Sequence, residues 1–115
     1  MNIYENKIAV VTGATGGIGS ELSLFLATNG AKVYGVSRTA SKLDSLREKV
    51  QEVGGTFVSR PGDITQEGEV EGIIDGIFRG ESRLDLLFHC AGEFVAFKLG
   101  DGYETLDKIR SVHAD

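Results

Sequence analysis

Residues 7–19 of the chain read KIAVVTGATGGIG, an apolar run followed by a glycine-rich turn. The run from Ile8 to Val11 contains no polar residue, which is typical of a strand buried on both faces of a parallel sheet. After the turn, apolar residues recur at helical spacing at Ile18, Leu22, Phe25 and Leu26. The sequence therefore predicts a strand, a tight turn and a helix in direct succession.

The alternation of strand and helix patterns continues along the chain. Strands are predicted at residues 32–37, 56–59 and 84–89, and helices over about residues 41–53 and 66–78 and from about residue 103. Ser41 is the predicted N-cap of the second helix, whose apolar stripe is formed by Leu43, Leu46, Val50 and Val53. Asn29-Gly30 and Gly54-Gly55 are predicted to end the first two helices.

Such alternation indicates repeated βαβ units with right-handed crossovers, so the fold class is α/β. We expect a partial, Rossmann-like, doubly wound parallel sheet of about four strands in the order 3-2-1-4, with helices on both faces. Strand four would then be an unpaired edge. Ligands in such sheets bind at the carboxyl ends of the strands.

The third predicted helix contains glycine at every fourth position, at Gly68, Gly72, Gly76 and Gly80. Each glycine inside a helix costs about 1 kcal/mol relative to alanine. The spacing is compatible with close helix packing, but a weak helix at the edge of the sheet is the favoured interpretation.

Composition excludes several classes of protein. The chain has 115 residues, 12 Lys+Arg against 17 Asp+Glu and a net charge of −5, with no two basic residues adjacent, which disfavours nucleic-acid binding. Residues 1–115 are predicted to form one incomplete domain. No stretch approaches the about 20 apolar residues of a membrane span, and the start does not resemble a targeting signal, so we expect a cytoplasmic protein. A single cysteine excludes an intrachain disulfide.

The glycine-rich turn has the composition of a phosphate-binding loop. Gly13 is suited to a tight turn, Gly17 to the close approach of a pyrophosphate, and Gly19 to close packing of the helix on the strand. The helix N-terminus would add free N–H groups and the positive end of the helix dipole. No lysine lies between Lys7 and Lys32, which disfavours a nucleoside triphosphate site. A purely structural turn remains the alternative.

Four segments together resemble the short-chain dehydrogenase/reductase family. They are the Thr-Gly-x-x-x-Gly-x-Gly turn at 12–19, Asp63-Ile64-Thr65, His89-Cys90-Ala91-Gly92 and the segment 107–112, which occur in the family's order over essentially the whole chain. The resemblance implies cofactor binding by Gly13, Thr15, Gly16, Gly17, Ile18, Gly19, Ser37, Arg38, Asp63, Ile64, Cys90, Ala91 and Gly92. Asp63 would contact the adenine amine.

The end of the second strand indicates which nicotinamide cofactor is bound. In the family, a carboxylate there binds the ribose hydroxyls and repels the 2′-phosphate of NADP, but this chain has Ser37 followed by Arg38. A guanidinium can bind a phosphate through two hydrogen bonds and stack on adenine. We therefore predict NADP(H) in preference to NAD(H). The alternative is an ordinary polar loop with a solvated arginine.

Three residues stand where the resemblance leads one to expect asparagines. His89 and Cys90 stand where the family has two asparagines, the first of which ties the central sheet together, and an imidazole can partly substitute. Cys90 is expected to be a small buried residue and not a nucleophile. No metal site is predicted. His113 stands at the position of the family's catalytic helix asparagine, so the resemblance implies a catalytic role for it in a proton relay; the alternative is an imidazole that caps the helix or lies in solvent.

The family's catalytic Tyr-x-x-x-Lys is absent from the chain. The residues four positions after Tyr4, Tyr34 and Tyr103 are Ile8, Arg38 and Asp107. The sequence is interpreted as the cofactor-binding amino-terminal part of an oxidoreductase that moves hydride between nicotinamide and an alcohol or ketone and is a homo-oligomer when full length. The alternatives are a non-catalytic dinucleotide-binding or regulatory module and an assembly element. Whether the chain is itself an enzyme is left open.

We predict that the purified 115-residue chain has no dehydrogenase activity. The reason is that no tyrosine is followed by a lysine that could lower its pKa for proton exchange with the substrate oxygen. The assay is NADPH oxidation with a panel of carbonyl compounds, with a mock purification as control. Turnover that persists after contaminating reductases are removed would contradict the prediction.

Overall fold

The computed structural model describes residues 3–63, 66–90 and 95–98. In these ranges the chain forms five strands and three helices. The strands are β1 (Ile8–Thr12), β2 (Lys32–Ser37), β3 (Thr56–Pro61), β4 (Leu86–His89) and β5 (Val95–Lys98). The helices are α1 (Gly17–Thr28), α2 (Ala40–Glu52) and α3 (Glu67–Glu81).

The first four strands form the predicted parallel sheet in the order 3-2-1-4. The expectation that β4 is an edge strand is wrong. β5 pairs with β4 in antiparallel orientation, with Leu86 opposite Lys98 and His89 opposite Val95. The free N–H and C=O groups of an edge strand are a template for pairing, and here the next segment of the same chain occupies it.

Helices cover both faces of the sheet, as predicted. All five residues of β1 are buried, and the side chains of the first four alternate between two hydrophobic clusters. Ala9 and Val11 pack with α1 and α2, whereas Ile8 and Val10 pack with α3. The central strand is therefore buried on both sides, which explains why it contains no polar residue before its last position.

Of the four apolar residues whose spacing predicts α1, only Leu26 is fully buried. Ile18 is 61% exposed and Phe25 is 50% exposed. The buried positions are Gly19, Ser23, Leu26 and Ala27. Three of these are small residues spaced four apart, so the backbone of α1 comes close to the sheet and the larger side chains on the adjacent surface are left partly in solvent.

Two details of α2 also differ from the prediction. The helix begins at Ala40 with Thr39 as its N-cap, so Ser41 already lies in the first turn, where its carbonyl accepts a hydrogen bond from Ser45 at 3.2 Å. Val53 is 48% exposed because it is the C-cap, beyond the helical stripe. The predicted helix ends are confirmed, since Gly30 and Gly54 have φ values of +94° and +77° in the left-handed region.

α3 packs on the middle of the sheet, and the expectation of a helix at its edge is wrong. Its buried residues Val70, Ile74 and Ile77 share a cluster with side chains of β1, β2 and β4. Its last residue, Glu81, accepts a hydrogen bond from the Tyr34 hydroxyl and lies 2.5 Å from the Lys32 ammonium. The Lys32 ammonium and the Tyr34 hydroxyl hold the pKa of Glu81 below its usual value. These contacts connect the end of α3 to β2.

The glycines of α3 lie away from that packed face. Within the ranges described, no atom lies within 4 Å of a Cβ built on Gly68, Gly72, Gly76 or Gly80. All four positions are exposed. Close packing through these glycines is therefore not seen, and their effect on the helix is the loss of helical propensity.

We predict that Gly72→Ala combined with Gly76→Ala stabilises the chain. Each added methyl group has free space. Each replacement lowers the conformational entropy of the unfolded chain and raises the helix propensity, which stabilises the fold by about 0.5–1 kcal/mol, so the two together give about 1–2 kcal/mol. Urea unfolding followed by circular dichroism measures the change. Gly19→Ala, which has no such space, is the matched control. An unchanged or lower free energy of unfolding for the double variant would contradict the interpretation.

Candidate functional site at the carboxyl ends of the strands

The turn after β1 is fixed by glycine geometry and by a hydrogen bond to β2. Gly13 has a φ of +68°, which is the conformation predicted for the first glycine. The N–H of Ala14 then donates to the carbonyl of Val36 at 3.1 Å. The N–H of Gly16 donates to the Gly13 carbonyl at 3.2 Å. The loop is thus held against the carboxyl ends of β1 and β2.

The start of α1 packs directly on this turn. A Cβ at Gly19 would lie 2.0 Å from the Gly13 carbonyl oxygen, a distance that no side chain can adopt. This is the close contact predicted for the third glycine. Gly17, in contrast, is exposed, and no atom of the described chain lies within 4 Å of its ideal Cβ position.

The helix N-terminus is arranged to accept an anion. Gly16 is the N-cap of α1, no side chain caps the helix, and its first turn contains no acidic residue. The first N–H groups of a helix have no partner within the helix, and the helix dipole places positive charge there. Free space beside Gly17 therefore coincides with unopposed N–H donors. This arrangement fits the pyrophosphate of a dinucleotide.

The end of β2 brings together the residues predicted for the ribose. Ser37 is 9% exposed, and its Oγ lies 2.7 Å from the Oγ1 of Thr15. The Thr39 N–H donates to the same Ser37 oxygen at 3.4 Å. Arg38 is exposed beside them. The structure thus joins the hydroxyls of Thr15 and Ser37 at the end of β2, directly before the exposed Arg38.

The ends of the other strands complete this edge of the sheet. Asp63 follows β3, is half-buried, and its N–H donates to Glu69 at 3.0 Å. At the end of β4, the Nδ1 of His89 lies 2.6 Å from the Thr12 Oγ1, and both side chains are buried. An imidazole therefore links the ends of β1 and β4, as expected for a substitute for the asparagine.

Cys90 has the environment of a structural thiol. Its N–H donates to the Thr12 carbonyl at 3.0 Å, and the side chain is half-buried. Burial raises the pKa of the Cys90 thiol, which keeps it protonated at neutral pH and poorly nucleophilic. Ile64, Ala91, Gly92 and His113 lie outside the described residues, so their roles stay predictions.

A cleft between α1 and α2 lies next to this edge and was missed by the sequence analysis. Its volume is about 210 Å³. It is lined by Thr15, Ser20, Lys42, Ser45, Leu46 and Lys49. The sequence contains a signal for it, because the last four of these residues follow the i, i+3, i+4, i+7 spacing of one helix face. Of these residues, the sequence-based prediction includes only Leu46, in the apolar stripe of the second helix.

Two negative findings apply to the described part of the chain. Residues 3–63, 66–90 and 95–98 contain no group of three or more His, Cys, Asp or Glu side chains placed to hold a metal ion. In the same residues, no helix has the length and apolar composition needed to cross a membrane.

Comparisons with known proteins agree with the geometry. The sequence profile of a family described as short chain dehydrogenase matches residues 7–108. An uncharacterized oxidoreductase of Staphylococcus saprophyticus is 38% identical over 93 residues, which cover 80% of this chain and 37% of that protein. The chain spans between 7% and 43% of the length of such curated relatives.

Two solved structures share the fold and contain different cofactors. An NAD+-bound xylitol dehydrogenase has a TM-score of 0.72 and 32% identity, covering 79% of this chain and 35% of that one. A metagenomic short-chain oxidoreductase in complex with NADP has a TM-score of 0.69 and 28% identity, covering 73% of this chain and 38% of that one.

Two glycines of the turn, the exposed Gly17 and the buried Gly19, provide a matched test of the site. Gly17→Ala is expected to leave folding intact, because its methyl group has free space, but to weaken NADPH binding by about tenfold or more by obstructing close approach of a phosphate. Gly19→Ala is expected to lower the free energy of unfolding by about 1–3 kcal/mol through overpacking. NADPH fluorescence titration and urea unfolding measure the two effects. Equal affinity of Gly17→Ala and the unmodified chain would refute the assignment of this loop.

Proposed function

Because the chain belongs to the short-chain dehydrogenase/reductase family, we propose that it is the cofactor-binding part of an oxidoreductase. The reaction would be hydride transfer between a nicotinamide cofactor and an alcohol or ketone. One observation carries the proposal: the N-terminus of α1 is held over the Gly13 turn, with free space beside Gly17. Titration of the chain with NADPH and NADH tests it, and absence of saturable binding of either would refute it.

The chain's own residues would hold the dinucleotide along the carboxyl ends of four strands. The N–H groups of residues 17–19 would bind the pyrophosphate, and Thr15, Ser37 and Arg38 would contact the adenosine ribose. Asp63 would accept a hydrogen bond from the adenine amine. The bound nicotinamide supplies the hydride chemistry, while the protein supplies binding and orientation.

We further propose that the cofactor is NADP(H). The support lies at the end of β2, where the Ser37 hydroxyl bonds to Thr15 and the Arg38 guanidinium is exposed. A carboxylate at residue 37 would repel a 2′-phosphate, whereas a hydroxyl can donate to it. No described carboxylate forms a salt bridge with Arg38, so its charge is available to a ligand.

The remaining parts of the proposal concern the whole protein. An alcohol or ketone of low molecular weight is the proposed substrate class. That the whole protein is a cytoplasmic homo-oligomer without nucleic-acid or membrane partners stays a prediction. His113 stays a candidate for the proton relay, and its exchange for alanine in a catalytically active longer form would test that role.

The cofactor assignment predicts the effect of Ser37→Asp combined with Arg38→Ile. The variant should bind NAD(H) more tightly than NADP(H), the reverse of the unmodified chain. Loss of one charge-assisted phosphate contact corresponds to about 1.5–3 kcal/mol, a tenfold to hundredfold change in NADPH affinity. The measurement is the ratio of NADPH to NADH dissociation constants. Arg47→Ile, which removes a charge from the exposed surface of α2, is the control and should leave the ratio unchanged.

This assignment would be refuted by an unaltered ratio in the double variant. It would also be refuted if the unmodified chain bound NADH as tightly as NADPH, since Arg38 would then be an ordinary solvated side chain.

A further inference from the structure

The loop after β3 is held by hydrogen bonds on two sides. It leaves the outermost strand of the described sheet, so β2 is its only neighbouring strand, and the Gly62 N–H donates to the Ser37 carbonyl there at 2.9 Å. On the other side, the Asp63 N–H donates to the Glu69 carboxylate of α3 at 3.0 Å. The Asp63 carbonyl accepts from the Gln66 N–H at 3.0 Å. Both backbone polar groups of Asp63 therefore have partners, and α3 supplies the second attachment of the loop.

Gly62 leaves the space through which α3 approaches this loop. A Cβ built on the buried Gly62 would lie 2.5 Å from the Ile73 Cδ1 and 3.3 Å from the Glu69 Oε1. The φ of Gly62 lies outside the left-handed region, so the backbone conformation itself does not require glycine. Ile73 packs against the hydrophobic cluster that α3 shares with β1 and β2. The missing side chain at residue 62 therefore lets both α3 side chains reach the end of β3.

Glu69 departs from the usual role of a carboxylate at its place in a helix. α3 begins at Glu67 with Gln66 as its N-cap, so Glu69 is the third residue of the helix. A glutamate at this position commonly accepts a hydrogen bond from the N-cap N–H. Here the carboxylate instead accepts from Asp63, three residues before the N-cap. Its hydrogen bond therefore fixes the loop that carries Asp63, and not the end of the helix.

We propose that Glu69 is a positioning residue, which holds the backbone of Asp63 so that the Asp63 carboxylate meets the adenine amine of the cofactor. The inference rests on the proposed function. Glu69 itself does not contact the nucleotide. Hydrogen bonds connect Glu69 through Asp63 and Gly62 to Ser37 at the proposed ribose position, so the contacts to base and ribose keep a fixed separation. Selectivity for a base that carries an amine then depends on α3.

The test uses two nucleotides that differ only in the base. NADPH carries an amine where its hypoxanthine analogue carries a carbonyl oxygen, which cannot donate to the Asp63 carboxylate. Fluorescence titration gives the ratio of their dissociation constants. Glu69→Ala should reduce the preference for NADPH by about threefold to tenfold and change the affinity for the analogue little. Glu69→Gln, whose amide oxygen can accept the same hydrogen bond, should retain most of the preference. Glu48→Ala removes an exposed carboxylate from α2 and should leave the ratio unchanged.

The outcomes separate this inference from the proposed function. If Asp63→Asn reduces the preference for NADPH but Glu69→Ala does not, the role of Glu69 is refuted and the adenine contact stands. Equal weakening of both nucleotides by Glu69→Ala also refutes it, since general support of the fold does not distinguish the two bases. If the unmodified chain binds both equally tightly, this inference is wrong and dinucleotide binding stands. If it binds neither, the proposed function is wrong and this inference is wrong with it. A thermal melt of each variant verifies that it is folded.

Discussion

The contact between Gly19 and the Gly13 carbonyl is the constraint on which the site depends. Because residue 19 has no side chain, α1 can begin directly on top of the turn that ends β1. The small residues Ser23 and Ala27 continue this close approach along the helix. The consequence is that the N-terminus of α1 points at the carboxyl edge of the sheet. Its N–H donors and dipole are then available to a phosphate at the point where the strand order changes direction.

Hydrogen bonds between strand ends keep this edge in place before any ligand binds. The Ala14–Val36 and Thr15–Ser37 bonds join the glycine loop to β2, and the Thr12–His89 bond joins β1 to β4. Buried hydrogen bonds of this kind are costly to lose, since each released group would be left unsatisfied. The loop is therefore preorganised, and the entropic cost of ordering it is already met in folding.

Local patterns predicted most of the strands and the chemistry of the glycine turn, because a buried parallel strand and a left-handed glycine each leave a short-range signature. The features that the sequence did not predict depend on contacts between parts of the chain that are distant in sequence. Three of the four buried residues of α1 are small, so the apolar spacing that predicts the helix does not mark its buried face, and Ile18 and Phe25 are exposed. The pairing of β5 and the central position of α3 depend on long-range contacts. The sequence does not predict the α1–α2 cleft, because its lining residues come together only when the two helices pack.

The central claim is that a nicotinamide dinucleotide binds along the carboxyl edge of the sheet, with its phosphates at the start of α1. Two-dimensional 15N–1H NMR of the chain during NADPH titration tests this most directly. The account predicts that the largest shift changes fall on the amides of residues 13–20 and 37–42. Saturable changes confined to other parts of the chain, or no changes at millimolar NADPH, would contradict it.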